Sequence, residues 1–212
     1  FRRNRRVLSQ ICTNEKLLVN CSLQIACHMY CKRFKIHKGR TYMIPIRNMY
    51  STYGVKDYYE NHSNEYSNPH EKYIQTLLEQ VNIKGDVLDL SCGDGAASLA
   101  ISDCKVIGCD PYLYEQYELR TGNPCLRFSF DDIINGALQD MKFNSIICSF
   151  ALHLCEKSKL NTLLYQLSRI SNELIIITPH KRPEVNSSFW KLNSIIKENK
   201  VTLKKYESLY NS

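Results

Sequence analysis

The sequence predicts an α/β domain wound on both faces of a mostly parallel sheet, preceded by a helical or irregular extension. Three observations lead there. From residue 85 onward, short and continuously apolar segments alternate with segments of helical spacing. The first apolar segment runs into a small-residue turn, Ser91-Cys-Gly-Asp-Gly95. The first three apolar segments each end at an aspartate. Continuously apolar strands separated by helices imply parallel pairing, because each crossover helix must cover a sheet face and so buries both sides of the strands.

The chain has 212 residues, enough for one core and an appendage. At 43% apolar and 23% charged it sits near the globular average, away from disordered and membrane classes. No uninterrupted apolar run is long enough to cross a bilayer. Charge is distributed unevenly. Residues 1–48 carry eleven Lys/Arg against the single acid Glu15, a net +10, whereas residues 49–212 carry seventeen against twenty, a net −3. Any electrostatic case for RNA therefore rests on residues 1–48. The chain opens Phe1-Arg-Arg-Asn-Arg-Arg6 with neither an initiator Met nor a signal-peptide apolar stretch, as expected of a cytoplasmic protein whose N-terminus is truncated here. The step in composition divides the chain into a basic extension, 1–48, and a domain, 49–212. In that domain residues 49–84 supply a lid and first helix, and residues 85–212 the core.

Ten cysteines are present. Cys92, Cys104, Cys109, Cys125, Cys148 and Cys155 lie in or beside apolar strands, where free thiols behave as small apolar groups. With no secretory context they predict a reducing compartment and no disulfide framework. Cys12, Cys21, Cys27 and Cys31 accompany His28 and His37 in the extension. Cys27-x-x-x-Cys31 lacks the second cysteine pair of a zinc knuckle, so no metal site is predicted.

The elements follow in order. Residues 16–30 have a mixed helical pattern, and residues 32–47 are basic. Residues 54–70 are rich in Tyr, Asn and His, and residues 71–81 are apolar at Tyr73, Ile74, Leu77, Leu78 and Val81, a helical spacing. Residues 86–90 form a first strand and residues 96–101 a small-residue helix. Residues 105–109 form a second strand ending at Asp110, followed by a helix over 112–120. Residues 125–130 form a third strand ending at Asp131 and Asp132, then a short helix over 133–138. A fourth strand spans 144–150, a helix 158–170, and a fifth strand 173–178. Residues 189–198 read as a helix, and residues 200–206 as a sixth strand.

In an open sheet of this kind ligands bind beyond the carboxyl ends of the strands. The residues found there are informative. Asp86-Val-Leu-Asp-Leu-Ser-Cys-Gly-Asp-Gly95 resembles motif I of the class I S-adenosylmethionine-dependent methyltransferases: an acid at a strand end, Asp89, then a loop in which Gly93 and Gly95 are two of three expected glycines and Ser91 replaces the other. Glycines let the backbone approach a ligand and turn into a helix whose N-terminal amides are donors. The resemblance implies a Rossmann-like sheet of the class I methyltransferase type and S-adenosylmethionine as cofactor. It also implies that Asp89, Ser91, Cys92, Gly93 and Gly95 meet the methionine part. Asp110, 21 residues past Asp89, with Pro111 beside it, then takes the ribose. Asp131 or Asp132 takes the adenine amino group, and Phe150 lines the cleft within Phe150-Ala-Leu-His-Leu154. Tyr58, Tyr59 and Tyr66 resemble an aromatic lid, for which a sulfonium cation gives a physical reason. The family sheet closes with a sixth and an antiparallel seventh strand, and the element pattern here predicts a sheet lacking the last.

The resemblance further implies in-line methyl transfer to a small-molecule acceptor, with alignment as the enzyme's main contribution. Where the acceptor must lose a proton, His153 and His180 are the candidate bases. His180, Lys181 and Arg182 also form a candidate surface for an anionic or polar acceptor. Two alternatives compete. One is a non-catalytic member that binds cofactor or, through residues 1–48, RNA. The other is an NAD oxidoreductase, since Gly93-Asp-Gly95-Ala-Ala-Ser98 nearly matches a dinucleotide fingerprint with Asp110 as its ribose acid. Against NAD stand Asp89, which is no part of that fingerprint, and the long Tyr-rich segment before the first strand.

Overall fold

The computed structural model describes residues 34–37, 40–43, 70–182 and 184–210. The chain divides into two compact units, Phe1–Glu65 and Tyr66–Ser212. The compositional step at residue 49 falls inside the first.

Within the first unit, β1 (Phe34–His37) and β2 (Arg40–Met43) pair antiparallel, with Phe34 opposite Met43. The described part of the extension is thus a two-stranded ladder rather than helix or irregular chain. Thr41, Tyr42 and Ile36 are β-branched or aromatic residues of the kind that favour strands.

The second unit contains α1 (Glu71–Leu78), β3 (Gly85–Leu90), β4 (Cys104–Cys109), α2 (Tyr114–Thr121), β5 (Cys125–Leu126), α3 (Phe130–Ile134), β6 (Phe143–Ser149), α4 (Leu160–Ile170), β7 (Ser171–Thr178), β8 (Trp190–Glu198) and β9 (Val201–Ser208). The seven strands lie in the order β5-β4-β3-β6-β7-β9-β8. The first five of these are parallel, whereas β9 runs antiparallel to both β7 and β8. The winding therefore reverses at β3, the switch point where ligands collect.

Two readings need correction. Residues 190–198 form strand β8, not a helix, and the last strand is present as β9, so the sheet is complete. β8 is an edge strand with burial confined mostly to Trp190, and its register shifts between Leu192 and Ser194. That irregularity breaks the two-residue alternation and leaves apolar residues at a spacing that imitates a helix. Smaller differences follow the same physics. Residues 96–101 reach only a 3₁₀ turn at Ser98–Ala100, the third strand shortens to two residues, and the helix after it starts at Phe130. Ser129 explains that start: its hydroxyl accepts from the Asp132 amide while Asp132 accepts from the Ser129 amide, a complete capping box.

Strand alternation sorts the core into two layers. Leu88, Ile146, Cys148, Leu174 and Ile176 face α3 and α4. Val87, Ile147, Ile175 and Ile177 face the other way, against Ile74, Leu77 and Leu78 of α1. Successive residues of β6 and β7 thus alternate between layers, the two-residue period of a strand buried on both sides. Helix α4 buries Leu160, Leu163, Leu164, Leu167 and Ile170, one stripe at helical spacing.

Candidate functional site

The carboxyl ends of β3 and β4 meet around the glycine turn. Asp89 is fully buried; its Oδ2 accepts from the Ser98 amide at 3.1 Å and from the Ser98 hydroxyl at 2.7 Å. The Ser98 hydroxyl lies 2.8 Å from the Tyr117 hydroxyl, so a polar chain runs from β3 into α2. Oδ1 of Asp89 has no hydrogen-bond partner although it is buried. An ionised oxygen left this way carries a desolvation cost that a cation would relieve. Burial accordingly pushes the Asp89 carboxyl up to about 7, against the opposing pull of its Ser98 hydrogen bonds.

Asp110 closes the other side. Its Oδ2 accepts from the Gly93 amide at 3.1 Å, and its Oδ1 accepts from the amides of Tyr112 and Leu113, each at 2.9 Å. A carboxylate offers about four acceptor positions. Three are therefore filled by the chain, which leaves room for about one further donor. Burial raises the Asp110 carboxyl above its ordinary range, with the three amide bonds opposing.

The turn between these acids is built from left-handed backbone: Ser91 has φ +54, Gly93 +57 and Gly95 +87. A Cβ at Gly95 would come within 2.3 Å of the Thr121 side chain, so this position is closed to other residues. Cys92 is buried beneath the turn with its sulfur 3.6 Å from that of Cys125, and burial raises its thiol. It packs; it does not present a nucleophile. Arg120 braces the turn from outside. Its Nη1 meets Asp94 Oδ2 at 2.7 Å and its Nη2 meets Glu71 Oε1 at 2.5 Å.

The remaining predicted residues are placed as follows. Pro111 is half-buried directly after Asp110. Asp131 pairs with Lys159 at 2.9 Å, and Asp132 is occupied by the capping box, which holds its carboxyl below the ordinary range. Phe150 follows β6 with a left-handed φ of +55 and packs on the layer containing Ala96 and Ala97. Tyr58, Tyr59 and Tyr66 lie outside the described residues. His153 and His180 come together from the ends of β6 and β7, their ring centroids 4.8 Å apart. Burial, and then the neighbouring His180, lower the His153 imidazole. His153, Cys155, Lys157, Asn161, Arg182 and Glu184 border an open hollow of about 570 Å³.

One residue of the Tyr-, Asn- and His-rich segment has a partner that the sequence did not show. His70, just before α1, stacks face to face on Phe150, with ring centroids 4.5 Å apart and planes within 2°. The lid segment includes it, but its partner lies eighty positions on, where no local pattern points.

The seven-strand order with an antiparallel strand inserted beside the outer one, together with an acid-and-glycine turn at the switch point, defines the fold of the class I S-adenosylmethionine-dependent methyltransferases. Solved structures agree. NodS, an N-methyltransferase from Bradyrhizobium japonicum crystallised with S-adenosylhomocysteine, matches with a TM-score of 0.57 at 12% identity, covering 76% of this chain and 99% of that one. Magnesium protoporphyrin IX methyltransferase from Synechocystis, with bound S-adenosylmethionine, matches at 0.54 and 13% identity over 73% of this chain and 94% of that one. A protein of Pyrococcus horikoshii, PH0226, matches at 0.56 and 14% identity over 76% and 98%. In sequence the chain is 29% identical over 199 residues to an uncharacterized protein of Schizosaccharomyces pombe, covering 70% of this chain and 80% of that one. No family model matches.

Proposed function

We propose that the chain is an S-adenosylmethionine-dependent methyltransferase acting on a small-molecule acceptor. The observation that carries this is the unpartnered, buried Oδ1 of Asp89 beside the glycine turn. The residues present fit the cofactor: Asp89 suits its ammonium, the turn over Ser91, Cys92, Gly93 and Gly95 admits its methionine chain, and the open acceptor position of Asp110 suits one ribose hydroxyl. Phe150 suits a cleft wall, and Tyr58, Tyr59 and Tyr66, outside the described residues, are candidates for a lid on the resemblance alone. Asp131 and Asp132 remain the candidates for the adenine amino group, each after giving up or sharing its present partner. When bound, the cofactor supplies a methyl group made electrophilic by its sulfonium.

The chain's own residues do the rest. Asp89 and Asp110 fix the donor from two strand ends, and alignment with the acceptor lowers the barrier by removing entropy before reaction. His153, kept neutral at ordinary pH by burial and by His180, is the candidate to accept a proton from the acceptor. His180 supports it. The hollow beside them, with Lys157, Arg182 and Asn161 on its border, suits a polar or anionic acceptor. The free cysteines among the described residues suit a reducing, cytoplasmic setting.

Isothermal titration of the full chain with S-adenosylmethionine, S-adenosylhomocysteine and NAD tests the cofactor. We expect saturable binding of the first two and none of NAD; the opposite order would replace this reading with an oxidoreductase. The basic charge of residues 1–48 favours a second reading, contact with RNA. Salt-dependent binding of a single-stranded RNA to the full chain tests it, and absence of binding at low salt would discard it.

A further inference from the structure

The outer edge of the sheet carries an unusual share of apolar surface. Of the seven large apolar residues exposed among the described residues, four gather there: Leu192 and Ile195 on β8, and Leu209 and Tyr210 just past β9. β8 ends the sheet, so among the described residues its outward backbone groups face no further strand. It is nine residues long and contains no proline. A long edge strand with exposed apolar side chains is a template for another strand.

The register with β9 fixes which side chains share a face. Leu192 lies opposite Tyr206 and Ile195 opposite Lys204, two residues apart on β9, so both share the face on which Tyr206 joins the α4 layer. The register shift between Leu192 and Ser194 is what aligns them, although they are three apart in sequence. Lys191, Ile196 and Glu198 lie opposite Glu207, Leu203 and Val201, and so share the other face. This pattern is its own complement. Laid antiparallel about a two-fold axis, two copies of β8 set Leu192 of each opposite Ile195 of the other. The same register sets Lys191 opposite Ile196 on the other face. The next residue on that face is Glu198, within diagonal reach of the lysine, and the axis repeats the pair. Lysines on an edge ordinarily keep strands apart. Here Lys191 meets an acid instead.

We infer that β8 is the interface of a symmetric dimer, in which a second copy of this chain continues the sheet by antiparallel pairing along β8. The pairing satisfies the outward backbone groups and buries Leu192 and Ile195 against each other. It leaves β3, which lies three strands inward, out of the contact. The contact is one strand wide, so the dimer is concentration-dependent rather than obligate. It requires no cofactor and stands apart from the cofactor reading.

Sedimentation equilibrium of the full chain across a range of concentrations tests the dimer, with melting curves recorded for each variant. We expect a monomer–dimer equilibrium in the wild type. Ile195→Thr keeps a strand-forming residue at an exposed position, and should weaken the dimer about tenfold by removing apolar contact at both symmetric positions. Lys191→Glu and Glu198→Lys should each weaken it about fivefold, by turning both diagonal pairs into like charges. Mixed in equal amounts, those two variants should recover the wild-type affinity, since the mixed dimer restores opposite charges at both positions. A wild-type chain that stays monomeric at its highest soluble concentration would overturn the proposal. So would a dimer indifferent to all three substitutions, which would move the contact elsewhere on the chain, or a mixture that associates no more tightly than its components.

Discussion

The two halves of the sheet are built on opposite principles. At the carboxyl ends of β3 and β4, carboxylates are buried and the turn between them is strained: Asp89 has an oxygen with no partner, Asp110 is buried, and the connecting turn uses left-handed backbone at Ser91, Gly93 and Gly95. Around β6, β7, β9 and β8 buried polar groups are satisfied within the fold. The Trp190 indole donates to the Leu164 carbonyl at 2.9 Å, and the Ser208 hydroxyl to the Ser168 carbonyl at 2.7 Å. One half supplies stability and the other spends it, as expected where electrostatic strain serves a ligand.

Substitutions can break or sharpen that contrast. The largest effect is expected in the stable half. Trp190 is 1% exposed, and Trp190→Ala should cost about 3–5 kcal/mol through the lost ring and the lost indole hydrogen bond to the Leu164 carbonyl, read as a lowered thermal midpoint. Its cofactor affinity per folded molecule should not change; a large change would show that the halves are not separable. Next comes Gly95→Ala, where left-handed backbone and the collision with Thr121 together should cost about 2–4 kcal/mol. Melting curves should show this loss, and calorimetric titration should show weakened cofactor binding by the molecules that remain folded.

Asp89→Asn should act in opposite directions on the two properties. Because burial lifts Asp89 from 3.8 to about 7, the folded chain holds a proton there that the unfolded chain releases. Its contribution to stability is therefore complete below about pH 4 and is lost as pH rises to about 7. An amide does not titrate. The variant should be the more stable protein above pH 7, with the gap shrinking on acidification, while binding the cofactor about tenfold to a hundredfold more weakly. Parallel melting curves from pH 4 to pH 8 check this, and a wild-type curve no more pH-dependent than the variant's would contradict it. The smallest effect is expected at Lys159, whose pairing with Asp131 is exposed: Lys159→Ala should leave the thermal midpoint unchanged.

Legibility followed the same division. The buried strands β3, β6 and β7 were readable because burial on both faces forces continuous apolar runs. Asp89, Gly93, Gly95 and Asp110 were readable because their spacing is local to strand ends. Strand β8 was not, since it is an edge whose exposed Leu192 and Ile195 answer to no core. The capping box that occupies Asp132 explains why an acid after a strand carries less information than an acid before a glycine turn: a carboxylate two residues into a helix has a local partner at hand. The stacking of His70 on Phe150 was beyond reach for another reason: it joins residues eighty positions apart, which no sequence period encodes.

The insertion of β9 between β7 and β8 also orders events in time. β8 is joined by hydrogen bonds to the sheet through β9 alone. On the ribosome, residues 190–198 emerge first yet have no strand to join until residues 201–208 have followed them out. The half around β3, β4 and β5 can assemble while translation continues; the outer edge must wait, and its apolar Trp190 waits with it.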